Sequence, residues 1–216
     1  MSAGQQLTET AVVAFTTFFA TVGPIDVAAM FAALTPTASR PARRSMALRG
    51  VLLAGVILLA FAFGGKVLLN SLGISLAALK VAGGILLLLI GIDMVFARTS
   101  GGTSTTSEET TEAAGRRDIS VFPLATPLIA GPGAMGAVIL LMADAGGDIL
   151  AQATVLGALL AVLLLTLALL LLANGVHRLF GVTGMLVVSR IFGVLLAALA
   201  VQFMFDGIAG SGLLSG

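Results

Sequence analysis

No cysteine, tryptophan or tyrosine occurs in the sequence, and histidine occurs once, as His177. Without cysteine there is no disulfide framework, thiolate nucleophile or cysteine-ligated zinc site. A single histidine excludes a multi-histidine metal centre. Charge is scarce too: Lys, Arg, Asp and Glu make up 10% of the chain, against roughly a quarter in soluble domains. The formal net charge is +1, so no basic footprint for nucleic acid is visible. The aromatic belt that Trp and Tyr usually supply at membrane interfaces is missing, and the composition leans on Ala, Leu and Gly instead. The N-terminal stretch MSAGQQLTET lacks the basic region of a cleaved signal peptide, so the first apolar segment is expected to be a retained span.

What is present is apolar sequence, 58% of the chain. Six segments have membrane-spanning character, at about 7–34, 46–63, 74–96, 119–142, 150–173 and 182–205; a helix needs roughly 20 such residues to cross a bilayer. Helix is the expected form, because backbone polar groups in lipid must be satisfied internally. Connections are expected to be short except at residues 99–117, which begin TSGGTSTTSEETTEAAG and have no apolar face. That composition predicts a flexible linker.

Basic residues set the expected orientation. Arg40, Arg43, Arg44 and Arg49 fall in the first connection, Arg98, Arg116 and Arg117 in the third, and Arg178 in the fifth, while only Lys66 lies in an even connection. The positive-inside rule then places the odd connections in the cytoplasm and both termini outside.

An internal repeat runs through these segments. Gly23-Pro24 in TVGPIDVAAM is matched by Gly131-Pro132 in IAGPGAMGAV, and Lys80-x-x-Gly83 by Arg190-x-x-Gly193 at almost the same offset. The expected fold is therefore an all-α membrane protein of six transmembrane helices, arranged as two inverted three-helix repeats with spans one and four broken at Gly-Pro. Residues 1–98 form the first repeat, 99–117 a flexible cytoplasmic linker, and 118–216 the second repeat, within one membrane domain. Three spans per half make the second copy enter from the opposite side, the pattern of many secondary transporters.

Proline removes a donor and clashes with the preceding turn, and glycine lowers the cost of unwinding. Each Gly-Pro is thus expected to start a new half-helix, whose free N–H groups suit a carboxylate. Thr21, Gly23, Pro24, Asp26, Thr126, Gly131, Pro132 and Gly133 are the candidate substrate-binding residues. Thr16 and Thr17 could add hydroxyls, or bond back to their own helix. Asp26 is a carboxylate inside a span, a functional candidate by default, although capping the half-helix would also suit it. Lys80 and Arg190, about two turns into spans three and six, are candidates for gating or coupling together with Asp26; snorkelling to the interface is the plainer account of both. Ala82-Gly83-Gly84 is expected to allow close helix packing. No convergent catalytic set is apparent, so the chain is not expected to be an enzyme, and neither a metal nor another cofactor is called for.

The stretches GPIDVAAMF from Gly23, LKVAGGILLLLIGIDM from Leu79, DISVFPLATPLIAGPGAM from Asp118 and SRIFGVLLAALAVQFMFDGI from Ser189, with the Arg-rich first connection, resemble the MarC family of six-span bacterial and archaeal membrane proteins. The resemblance covers nearly the whole chain. It implies residence in a prokaryotic cytoplasmic membrane and proton-coupled transport of small neutral amino acids such as glycine and alanine. Val27-Ala28-Ala29 follow Asp26 where the family often has Asn or another polar residue, which implies a smaller or more apolar pocket. The expected partners are a small zwitterionic amino acid, the lipid bilayer and a coupling proton, with no nucleic acid; assembly into a homo-oligomer is left open. The alternatives are a transporter or channel for another small solute, and a structural or regulatory membrane protein without flux.

Overall fold

The computed structural model describes residues 3–97 and 118–212, with the backbone alone for Ala3, residues 173–183 and Met185. The linker expected over 99–117 lies outside the described residues, as do Arg98, Arg116 and Arg117. All described regular structure is helical. Five helices are long and apolar enough to cross a membrane, and a sixth crossing is available if one bent pair of helices counts as a span.

Helix α1 (Ala3–Val22) is followed by α2 (Pro24–Leu34), with Gly23 between them at φ 60°, ψ 58°. Glycine reaches that left-handed conformation without the Cβ penalty. Pro24 then takes the first helical position, where its missing N–H costs nothing. The interruption is local: Gly23 N–H still donates to Phe19 O at 3.0 Å and Val27 N–H to Gly23 O at 2.9 Å. Gly4–Leu34 therefore has the length and character of one 31-residue span.

Helix α3 (Arg40–Ser71) starts at Ser39, whose side chain accepts from Ala42 N–H at 3.4 Å, with Pro41 in the first turn. It ends at Gly73, φ 69°, where Ile74 N–H reaches back to Leu69 O at 2.9 Å. That is the Schellman closure, which favours glycine at its left-handed position. Helix α4 (Leu76–Phe96) is capped by the Ser75 side chain, which accepts from Ala78 N–H at 3.1 Å.

The fourth crossing is built differently. Segment α5 (Ser120–Ile129) contains Pro123 and Pro127, and the residues before them, Phe122 and Thr126, are extended. A residue before proline is pushed out of the helical region by the ring. The chain responds with wide-turn bonds, Leu124 N–H to Ile119 O at 3.1 Å and Ala130 N–H to Ala125 O at 2.9 Å. Helix α6 (Pro132–Asp144) follows Gly131, bent 54° from α5. A tight connection through Gly146, φ 63°, leads to α7 (Ile149–Leu171). Asp148 caps α7 by accepting from Leu150 N–H at 2.8 Å.

Helix α8 (Ala173–Gly210) follows α7 after Leu172 alone. The connection expected around Arg178 is instead the first turns of this helix. The stretch has no proline to stop it, and Gly alone weakens a helix without ending it. Arg190 consequently lies well inside a long helix, while Lys80 lies little more than one turn from the start of α4.

Helices α4 and α8 make the most extensive pairing in the molecule. They run antiparallel: Gly207 faces Ala77 and Lys80, Gly84 faces Ala200 and Met204, and Gly91 faces Gly193 and Ala197. Small residues let the backbones approach where lipid offers no hydrophobic drive. Around this pair, α1 and α2 pack on α7, α5 and α6 on α3, α6 on α4, and α1 on α8. Gly50 fits against Leu124, Gly65 against Ile139 and Gly83 against Leu140. Phe18, Phe31, Leu58, Leu124, Leu140 and Leu196 are wholly buried in the resulting core. Leu52, Val56, Phe63, Leu89, Leu160 and Val194 point outward. Such apolar residues along the outside of spanning-length helices suit acyl chains.

Candidate functional site

The two Gly-Pro positions lie on neighbouring elements, because α1 packs against α6 and α2 against α5. Gly23, Pro24, Gly131 and Gly133 are buried, Thr126 and Pro127 are partly buried, and Pro132 is exposed. Gly131, unlike Gly23, precedes its helix in an extended conformation, at φ −83°, ψ 171°.

Asp26 stands in the first turn of α2. Its carboxylate folds back toward Gly23, and a Cβ built on that glycine would lie 3.5 Å from Oδ2. The helix dipole favours an acid at this position. The side chain is exposed, and Asp26 forms no ion pair among the described residues. An unpaired carboxylate within an apolar span is expensive against acyl chains and belongs beside water or a polar ligand.

The hydroxyls of α1 divide into two kinds. Thr21 donates to Thr17 O at 2.8 Å and so bonds back to its own helix. Thr17 Oγ1 is fully buried and has no hydrogen-bond partner among the described residues. A buried hydroxyl without a partner costs about 1–3 kcal/mol, which marks Thr17 as a polar group in want of a ligand.

Lys80 and Arg190 are not brought together. Lys80 lies beside Gly207, whereas Arg190 lies beyond Gly193, at the other end of the α4–α8 pair. At 1.5 Å per residue they are separated by about 25 Å along the helix axis. Lys80 Nζ pairs with Asp144 Oδ1 at 2.5 Å, and only 16% of the lysine side chain is exposed. Arg190 is exposed and forms no ion pair among the described residues. Two residues along, Phe192 meets Phe19 with ring centroids 4.0 Å apart, which fastens this part of α8 to α1 just before Gly23.

The lysine end also holds a cleft of about 400 Å³ between α1, α6, α7 and α8. Its rim is polar, with Gln6, Glu9, Asp144, Asp148, Gln202 and Asp206, and its floor is Val13, Leu141, Val155, Leu199 and Phe203. Three of the four acids are engaged: Asp144 by Lys80, Asp148 by the start of α7, and Asp206 by Gln202 Nε2 at 2.8 Å. Among the described residues no group of three His, Cys, Asp or Glu could hold a metal ion. Neither the cleft nor the partner of Lys80 was among the features expected from the sequence. The available signal was topological: the start of span three and the end of span four emerge on the same side.

At the opposite, arginine-rich end, Arg49 Nη1 meets Asp118 Oδ2 at 3.4 Å, and Arg43 lies over the Phe31 ring, 5.6 Å from its centroid. The hydroxyl and backbone N–H of Ser120 hold the Asp118 carboxyl below the usual carboxylate range, with Arg49 adding to the effect. The ion pair is open to solvent, with about half of each side chain or more exposed. Asp118→Asn is therefore expected to cost no more than about 1 kcal/mol. A lowered folded-state pKa contributes stability above the unfolded value and loses it as pH falls through the folded value. The variant and the parent should thus differ slightly at neutral pH and converge in acid, which thermal unfolding across pH checks.

The sequence pattern of the MarC family integral membrane proteins matches residues 8–211. A membrane protein of Methanocaldococcus jannaschii described only as UPF0056 is 39% identical over 200 residues, covering 93% of this chain and 96% of that one. UPF0056 membrane proteins of Bacillus subtilis and Escherichia coli are each 34% identical, over 196 and 199 residues. They cover 91% of this chain each, and 92% and 90% of their own lengths. No solved structure matches the chain. The chain is an integral, multi-pass membrane protein and belongs to the MarC family.

Proposed function

We propose that the protein is a secondary transporter of small neutral amino acids, glycine or alanine in size, and not an enzyme. The observation that carries this reading is Asp26: an exposed carboxylate without an ion pair among the described residues, one turn past a left-handed glycine inside a 31-residue apolar span. A zwitterion needs an acceptor for its ammonium group and donors for its carboxylate. Asp26 supplies the first, or carries a coupling proton. The N–H groups at the starts of α2 and α6 supply the second, with Thr21, Thr126 and Gly133 beside them. The orphaned Thr17 hydroxyl adds a further donor to the same region of α1.

The packing supports two inverted halves, residues 1–98 and 118–216. Exchanging α1 with α5, α2 with α6, α3 with α7, and α4 with α8 carries most of the larger pairings into one another: α1 and α2 on α7 become α5 and α6 on α3, and α6 on α4 becomes α2 on α8, whereas α1 on α8 has no comparably packed α5-on-α4 counterpart among the described residues. The antiparallel α4–α8 pair maps onto itself. Such exchange is the structural basis of alternating access. By the positive-inside rule the arginine-rich end faces the cytoplasm, so the acidic cleft and both termini face outward from a prokaryotic cytoplasmic membrane.

Equilibrium binding of radiolabelled glycine or alanine to the purified protein tests the substrate class. Saturable binding in the micromolar to millimolar range, competed by unlabelled small neutral amino acids, is the expected result. No saturable binding of any of them would remove that class.

A further inference from the structure

The Lys80–Asp144 pair joins α4 to the last residue of α6 beside the cleft, and neither its partnership nor a role for Asp144 follows from the Gly-Pro chemistry. Resting on the transporter reading above, we propose that this pair is a latch. It holds α6 against the α4–α8 pair and keeps the acidic end of the pathway closed.

Three observations carry the latch. First, α6 forms one wall of the cleft through Leu141, Asp144 and Ala145, so a movement of α6 away from α4 widens it. Second, α4 is the less mobile partner, because glycines fasten it to α8 along its length, with Gly207 directly beside Lys80. Third, the two ends differ. At the arginine-rich end the matching cation, Arg190, makes no ion pair among the described residues. The acidic end is thus held by a pair whose lysine is largely shielded, whereas the pair at the arginine-rich end, Arg49–Asp118, is open to solvent. A lysine so little exposed loses much if its partner goes, since a shielded unpaired charge is costly. The pair therefore biases the resting protein toward the state closed at the acidic end.

The stripe Gln6, Thr10, Val13 and Thr17 runs along one face of α1 at helical spacing. Its first three members line the cleft, and Thr17 lies one turn deeper, wholly buried. Opening of the latch should expose Thr17. The chain has no native cysteine, so a single Thr17→Cys variant reports on this alone. The rate of maleimide labelling is measured in detergent, where both ends are accessible and orientation does not enter.

Adding Asp144→Asn, or separately Lys80→Gln, is expected to speed labelling at least about tenfold. The charge swap Lys80→Asp with Asp144→Lys should return it to the slow rate. Unchanged labelling in both single variants overturns the latch. So does a charge swap that labels as fast as they do. Leu58→Cys, wholly buried in α3, is the fold control: equal acceleration there makes the pair a general staple of the fold and also overturns the latch. No substrate enters this measurement. Failure of the latch therefore shows as unchanged labelling, and failure of the transporter reading shows as absent amino acid binding.

Discussion

Asp26→Asn is expected to reduce pH-driven net uptake by at least about 30-fold, the effect of losing a charge contact with the bound substrate worth roughly 2 kcal/mol. Asparagine keeps the size and polarity of the side chain and removes only its charge and its proton. The parent carboxylate forms no ion pair among the described residues, so the structural loss is confined to its favourable place at the start of α2, worth about 0.3–1 kcal/mol. Folding should survive, and stability should change by no more than about 1 kcal/mol, because the cost of an unpaired charge in a spanning helix and the gain from the helix dipole oppose each other. A purely structural acid would show the reverse split, with stability lost along with function. Binding separates the two functional roles: weakened affinity for the amino acid identifies Asp26 as the ammonium acceptor, and retained affinity with retained exchange identifies it as the proton carrier. Net uptake at the parental rate would remove Asp26 from the site.

Gly91→Ala is expected to lower stability by about 2 kcal/mol or more, as overpacking does, and the unfolding midpoint by about 4–8 °C for a chain of this size. A Cβ on Gly91 would sit 2.9 Å from Gly193 O, 3.0 Å from Ala197 N and 3.2 Å from its Cα. All three neighbours are backbone, so no rotamer change relieves the contact and the two helices must part. Gly84→Ala meets Ala200 O at 2.6 Å and should behave alike, although the Met204 side chain can yield. Gly64 supplies the contrast, because nothing lies within 4 Å of a Cβ there. Gly64→Ala should be neutral or stabilise by up to about 1 kcal/mol, the helix-propensity gain. Equal losses at Gly64 and Gly91, measured by thermal unfolding in detergent, would contradict close backbone packing as the reason for glycine at Gly91.

The helical class and the spanning character of the chain were legible in the sequence because they depend on hydropathy and length, which are local. Family membership was legible for the same reason, in contiguous motifs such as DISVFPLATPLIAGPGAM. The caps were readable in principle: Ser39, Ser75 and Asp148 stand where short polar side chains meet the first turns of apolar helices. Four features were not legible. The helical run through residues 173–183 contradicts a composition of Gly, Asn, His and Arg that suggests a connection; weak local propensity yields there to a helix continuous with the long apolar run beyond it. The wide turns of α5 follow from two prolines four residues apart, whose combined effect on the bond pattern is not set by either alone. Lys80 was visible as a cation in a span, but its partner Asp144 depends on how α4 and α6 meet, which is tertiary information. For the same reason the acidic cleft, drawn from four helices, left no trace in any one segment.

Counterflow tests the transporter account most directly. Proteoliposomes loaded with unlabelled glycine or alanine, diluted into a trace of the labelled amino acid, should accumulate label transiently above protein-free vesicles. Only a carrier that exchanges one bound molecule for another gives that overshoot. Label that merely equilibrates, or fails to enter for every small neutral amino acid tried, would contradict the account.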